Sequence, residues 1–183
     1  MPPEVHAKLI SPDIKGSIAQ ALGTLPASMS SIKALVLLYA IGLQESRFTE
    51  RYQLIERDGR IDRRIKGPAR GFWGFELGGG VVGVMTHPAS AKHAERICEL
   101  RGVEFDAHSI WTQLETDDVL AAAFARLLLW TDPFPLPGLN DPDDAWELYA
   151  KRLWRPGRPR RATWPTYHAA ACLAADRRAI GRS

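Results

Sequence analysis

The chain has 183 residues, enough for one domain, and 45% of them are apolar, which excludes a disordered polymer and allows a substantial core. Its 24 Lys and Arg against 21 Asp and Glu leave a formal charge of +3, so an acidic partner is permitted but not demanded. Cys98 and Cys172 are too few for a disulfide framework and lack His or Cys at metal-ligand spacing, which reads as reduced, buried thiols with no metal and no cofactor.

The first residues, Met1-Pro2-Pro3-Glu4-Val5, show no basic patch followed by an apolar stretch, so no cleavable secretion signal is read and export would need another route. Pro12-Asp13 opens a short amphipathic segment that Gly23 and Pro26 close. Ser30 or Ser31 caps the next helix, in which Ile32, Leu35, Val36, Tyr39 and Leu43 recur at helical spacing while Leu37, Leu38 and Ile41 make the other face apolar too. A helix apolar nearly all round belongs in the centre of a core. Its run from Ala34 to Leu43 is far short of the roughly 20 residues that span a bilayer, so no membrane span is expected.

Beyond that helix, Leu54-Ile55 and Ile61 flank Asp58-Gly59, which predicts a small exposed β-hairpin from Gln53 to Arg64. A glycine-aromatic turn follows, Gly67-Pro68-Ala69-Arg70-Gly71-Phe72-Trp73-Gly74-Phe75, and Gly78-Gly79-Gly80 breaks the chain before Val81. Pro88 is read as the start of a helix that ends at Gly102; a short helix spans Ser109 to Leu114. Thr116-Asp117-Asp118 introduces a long helix to Trp130, and Thr131 to Asp141, rich in Pro, is a stiff surface loop. Pro142 starts another helix, which Trp154-Arg155-Pro156-Gly157-Arg158-Pro159 stops, and a last one runs from about Trp164 to Ile180. The fold class is mainly α (α+β), with a buried central helix and a small hairpin beside its end.

Glu45 closes the central helix. Stepping back by three, four and seven residues reaches Gly42, Ile41 and Leu38, so its carboxylate projects from an apolar face over a position without a side chain. Burial and the negative pole of the helix both raise its pKa, which is what a general acid for glycosidic-bond cleavage requires.

Glu45-Ser46 at the end of an apolar helix, followed by Gly71-Phe72-Trp73-Gly74-Phe75, resembles the Glu-Ser and Gly-Leu-Met-Gln motifs of the lysozyme-like lytic transglycosylases, especially compact phage-encoded members. A third motif of that family, Tyr-Asn-Ala-Gly with a Trp shortly after it, is similar in spacing to Trp154-Arg155-Pro156-Gly157 and Trp164. The resemblance implies a lysozyme-like fold over residues 1–183, with 1–28 as an N-terminal helical extension packed on it. It also implies peptidoglycan glycan strands as substrate, Glu45 as sole acid and base, and a 1,6-anhydromuramyl product. Ser46 would fix the acid and its loop; Gly71, Phe72, Trp73 and Phe75 would line the saccharide groove. Tyr149 would donate its hydroxyl to Glu45 as a late tyrosine does in that family, or simply pack. Gly74 stands where the family has Gln and Arg155 where it has Asn, so two polar contacts are missing or rebuilt.

A hydrolytic lysozyme would need a second carboxylate about 5 to 9.5 Å from the first, for which Asp58 and Asp62 are candidates, while Glu56 and Glu76 read as surface charges. A third option is a non-catalytic virion or wall-binding protein on the same fold, which Gly74 favours. His87, His93 and His108 have no nucleophile context, and Gly78-Gly79-Gly80 lacks the Lys-Ser or Lys-Thr of a phosphate loop. The arginines 152, 155, 158, 160 and 161 would suit an anionic polymer, yet such strings are commonly a solvated face, so nucleic acid is not the expected partner. The expected setting is a virion, with other virion proteins as further partners, or a host cytoplasm from which the protein acts on the wall in the periplasm.

Overall fold

The computed structural model describes residues 1–57 and 59–176. Twelve elements follow in order: α1 (Pro3–Ala7), α2 (Pro12–Thr24), α3 (Ile32–Glu45), β1 (Tyr52–Arg57), β2 (Arg60–Arg70), β3 (Phe75–Glu76), α4 (Val82–Thr86), α5 (Ala91–Arg101), α6 (Ala107–Gln113), α7 (Asp118–Trp130), α8 (Pro142–Glu147) and α9 (Trp164–Ala175). Short 3-10 turns lie at Ala27–Met29 and Arg161–Thr163, and π-helical turns at Leu77–Val81 and Leu148–Leu153. The protein is mainly helical with one three-stranded antiparallel sheet in the order β1-β2-β3.

Side-chain oxygens set where the helices begin. Ser31 accepts from the Ala34 N–H at 3.1 Å to start α3, and Asp117 accepts from the Val119 and Leu120 N–H groups, both at 3.0 Å, to start α7. Gly102, at φ 65°, closes α5 in the left-handed conformation that a side chain would resist. Between them α3 and α7 bury most of their residues; α3 packs on α7 and α9, α2 packs on α7, and α1 on α9. One apolar core therefore runs from Ile10 to Ala175, and α2 contributes Ile14, Ile18 and Ala21 to it.

Several sequence expectations change. The hairpin is longer than Gln53 to Arg64, because β2 continues through Gly67-Pro68 to Arg70. Pro68 is tolerated there since the register is irregular between the pairs Tyr52–Arg70 and Leu54–Lys66, and its missing N–H falls at that bulge. Gly67 leaves room for the Gln53 side chain, whose atoms lie 2.8–2.9 Å from where a Cβ would stand. The hairpin's base is not free: Arg51 forks onto Asp118 at 2.9 and 2.7 Å, Arg70 reaches Glu115 at 3.0 Å, and Trp111 donates to the Pro68 carbonyl at 2.8 Å. The triple glycine does not break the chain but forms a π turn, with the Phe75 ring 2.7 Å from where a Cβ of Gly80 would be. Helix α5 starts at Ala91 rather than at Pro88, and α6, capped by Asp106, starts at Ala107 rather than at Ser109. The last helix ends at Ala175, where Asp176 turns extended, rather than continuing toward Ile180; residues 177–180 of that expectation lie outside the described residues. Cys98 is buried, with its thiol pushed up to about 12 by desolvation, but Cys172 is only partly buried; both are free.

The end of α3 is built around Gly42. Arg47 and Phe48 both adopt positive φ, 54° and 56°, which turns the chain back and lays the Phe48 ring over Gly42. A Cβ at Gly42 would overlap that ring. The space above Gly42 thus belongs to Phe48, not to the Glu45 carboxylate as the spacing suggested. Gly42→Ala is therefore expected to destabilise the protein by about 1–3 kcal/mol, lowering Tm by roughly 2–4 °C per kcal/mol in a calorimetric scan, despite the higher helix propensity of alanine. An unchanged or higher Tm would contradict this packing.

Candidate active site

A cleft of about 1220 Å³ runs between the hairpin and the segment after α8, and Glu45 lies in it. Helix α3 brings Glu45 there because its apolar body anchors the helix in the core while the last residue emerges, partly buried, at the cleft floor. The Tyr149 hydroxyl donates to Glu45 Oε1 at 2.7 Å. The other oxygen, Oε2, faces Gly74: a Cβ there would be 3.0 Å from it, and Gly74 has φ 66°. The left-handed backbone makes any side chain strained there, and a Cβ would press on the carboxyl, so the glycine that departs from the Gly-Leu-Met-Gln pattern suits this geometry.

Desolvation pushes the Glu45 carboxyl up to about 7, the Tyr149 hydrogen bond pulls it down, and the nearby charge of Glu76 raises it further. Burial and the adjacent carboxylate hold the Tyr149 phenol far above its ordinary range, so that hydroxyl stays protonated and acts as donor. With Oε1 accepting from Tyr149, the carboxyl proton belongs on Oε2, the oxygen beside Gly74.

Tyr149 is fixed from three sides. Its ring stacks on Trp164 at 5.1 Å between centroids and 5° between planes, and Trp146 and Trp154 flank it at 5.5 and 6.4 Å. It sits in the π turn Leu148–Leu153, where its carbonyl accepts from the N–H groups of both Trp154 and Arg155. The tyrosine's two sequence readings, donor to the acid and packing residue, both hold.

Ser46 couples the acid to the glycine-aromatic turn. Its hydroxyl donates to the Phe72 carbonyl at 2.8 Å and accepts from the Phe48 N–H at 3.1 Å. Gly71, at φ 70°, donates its N–H to the Arg51 carbonyl at 2.8 Å, and a Cβ there would meet the Leu114 carbonyl. Ser46, Gly71, Phe75, Tyr149, Trp154 and Arg155 all line the cleft.

Phe72, Trp73 and Trp164 do not. They are 2%, 1% and 0% exposed and stand behind the cleft wall. Trp73 donates its indole N–H to the Leu38 carbonyl, Phe72 packs edge-on to Phe48, and Trp164 backs Tyr149. Their role as sugar platforms is replaced by one as packing that sets the positions of Glu45, Gly74 and Tyr149. The missed cleft residues include Gln44, Thr163, Tyr52 and Glu76. Thr163 donates to the Gln44 side-chain oxygen at 3.0 Å, which ties the start of α9 to the residue beside the acid. Glu76 had a readable signal, since strand alternation turns it outward once Phe75 points inward.

Of the proposed second carboxylates, Asp58 lies outside the described residues. Asp62 does not line the cleft; both its oxygens take hydrogen bonds from the Arg64 side chain, which holds its carboxyl below the usual range. Glu50, Glu56 and Glu76 do line the cleft, and Glu50 pairs with Arg63. Among the described residues no cluster of three or more His, Cys, Asp or Glu is arranged to hold a metal, and no helix is long and apolar enough to cross a membrane.

A carboxyl titrating at about 7 in the fold against an ordinary 4.5 makes the folded state bind its proton more tightly than the unfolded chain. Stability is therefore undiminished below about pH 4.5, declines between 4.5 and 7, and stays reduced above 7, by on the order of 3 kcal/mol at most. Glu45→Gln keeps an acceptor for Tyr149 without the charge. Urea unfolding should find it more stable than wild type by roughly 1–3 kcal/mol at pH 8 but not at pH 4. A difference independent of pH would contradict the burial of an ionisable Glu45. Comparison with family models, curated proteins and solved structures finds no match to this chain.

Proposed function

We propose that the protein is a lysozyme-like lytic transglycosylase that cleaves the β-1,4 bond between N-acetylmuramic acid and N-acetylglucosamine in peptidoglycan, in a phage or prophage setting where the cell wall must be opened. One observation carries this reading. Glu45 lies in a long cleft with its proton retained to about pH 7 and with one oxygen held by Tyr149. The order of the motifs around it, and the Ser46 link from acid to glycine turn, support the same reading.

The chemistry follows from the two carboxyl oxygens. Oε2 gives its proton to the glycosidic oxygen as the bond to the anomeric carbon breaks. The carboxylate left behind is stabilised by the charge-assisted bond from Tyr149, which limits the energetic penalty of ionising a desolvated group. It then takes the proton of the muramyl 6-hydroxyl as that oxygen closes on the anomeric carbon. One proton leaves Glu45 and one returns, and a 1,6-anhydro end forms without water. Gly74 puts no side chain between Oε2 and the substrate.

A second reading has one specific observation behind it. Glu76 lines the same cleft and its charge acts on Glu45, so a hydrolase could use Glu76, rather than Asp62, as the second carboxylate.

Wild type and Glu45→Gln, incubated with purified sacculi and followed by mass spectrometry of the soluble products, separate these readings. The expected result is anhydro ends from wild type, at a rate that falls above about pH 7, and a loss of about 10²–10⁴-fold in the variant. Reducing ends would establish the hydrolase, and binding without fragment release would leave a wall-binding protein.

A further inference from the structure

The stretch from Trp154 to Thr163 forms one wall of the cleft and brings three arginines to it. Arg155, Arg158 and Arg160 are exposed, line the cleft, and form no ion pair among the described residues. Their neighbours on either side are engaged. Arg152 pairs with Asp132 at 2.9 Å and lies over Phe134, while Arg161 pairs with Asp143 and lies over Trp146. The string is therefore not uniform: Arg152 lines the cleft but is tied to Asp132, Arg161 does not line it, and Arg155, Arg158 and Arg160 line it without an ion-pair partner among the described residues.

This segment is also fixed to the acid's own supports. At one end the N–H groups of Trp154 and Arg155 both bond to the Tyr149 carbonyl, at 3.0 and 3.2 Å, and the Trp154 indole bonds to the Trp73 carbonyl at 2.9 Å. At the other end the Gln44 side chain donates to the Arg160 carbonyl at 3.2 Å. Tyr149 holds the acid and Gln44 precedes it in α3. Arg155 has φ 43°, a conformation that a residue with a Cβ adopts only where its surroundings enforce it. The backbone, strained at Arg155 and tied at both ends, thus holds three arginines without ion-pair partners among the described residues on the wall of the cleft that also contains Glu45.

We infer that Arg155, Arg158 and Arg160 form a subsite for carboxylate groups carried on a glycan strand, namely those of the peptide stems of cell-wall polymer. The inference rests on the proposed function for its glycan. Guanidinium groups suit carboxylates because their paired N–H donors match the two oxygens. The rest of the cleft decides against a continuous polyanion. Glu56 and Glu76 line it as well, so a nucleic-acid strand with a phosphate on every residue would meet like charge where it passed beyond the arginines. A neutral glycan with charged stems at intervals avoids that repulsion while still meeting the arginines.

The test is equilibrium binding, which needs no catalysis. Glu45→Gln is used as the background and combined with Arg158→Ala/Arg160→Ala and with all three arginines changed to Ala, each verified by its thermal melt. The ligands are teichoic-acid-free sacculi with intact stems, the same glycan stripped of stems by an amidase and with the lactyl carboxyls thereby uncovered converted to neutral amides, and a single-stranded oligonucleotide. The background protein should bind the stem-bearing glycan about tenfold more tightly than the stripped one, with an affinity that falls as salt rises. The triple variant should lose that preference, the double variant part of it, and both should still bind stripped glycan. Equal binding to both glycans, a preference that survives in the triple variant, or tighter binding of the oligonucleotide would overturn the subsite while leaving cleavage to be judged by its own products. No binding to either glycan would instead remove the glycan reading itself.

Discussion

Everything in the cleft depends on how α3 ends. A helix buried on nearly every side must stop, and its last residue must face solvent without losing its apolar surroundings. The turn through Arg47 and Phe48, both at positive φ, does this by folding an aromatic ring back over Gly42 and leaving Glu45 at the edge of the core. Burial there makes ionisation costly, and a single hydroxyl from Tyr149 keeps the cost finite. A carboxyl fully surrounded by apolar groups would never release its proton, and one in open solvent would never keep it.

Around that junction the protein uses backbone geometry more than side-chain chemistry. Ser46 locks the helix end to the carbonyl of Phe72, so the turn that follows cannot drift from the acid. Gly71 and Gly74 adopt left-handed conformations at points of close approach, to the Leu114 carbonyl and to the acid itself. On the far side, the π turn after α8 sets Tyr149 against Trp164 and then hands its carbonyl to two successive N–H groups. Irregular helical turns of this kind re-aim side chains, and here one irregular turn positions both the hydroxyl that serves the acid and the arginines of the opposite wall.

Elements with a chemical boundary marker were legible in the sequence. Ser31, Asp117, Gly102 and Pro142 mark helix ends, and each lies at one in the structure. Glu45 was legible because a charged residue closing an apolar helix conflicts with its surroundings, and such conflicts mark function. The glycine-rich segments were not, because a glycine signals freedom without saying whether it is used for a turn, a bulge or a close contact: Gly67 became part of a strand and Gly80 part of a π turn. Aromatic residues next to a motif were also ambiguous. Phe72 and Trp73 are equally suited to a sugar platform and to a core, and only the contacts with Phe48 and the Leu38 carbonyl place them inside. For Glu76 the alternation with Phe75 showed that it faces outward, but not that the surface it faces is the cleft.

The central claim is that Glu45 keeps its proton to near neutrality. Selective ¹³C labelling of glutamate side chains, with the Glu45 signal assigned by its loss in Glu45→Gln, lets its carboxyl be titrated directly by NMR. The expected midpoint is about 7. A midpoint near the ordinary 4.5 would mean that the group is solvated and ionised at neutral pH, and the acid role would have no physical basis.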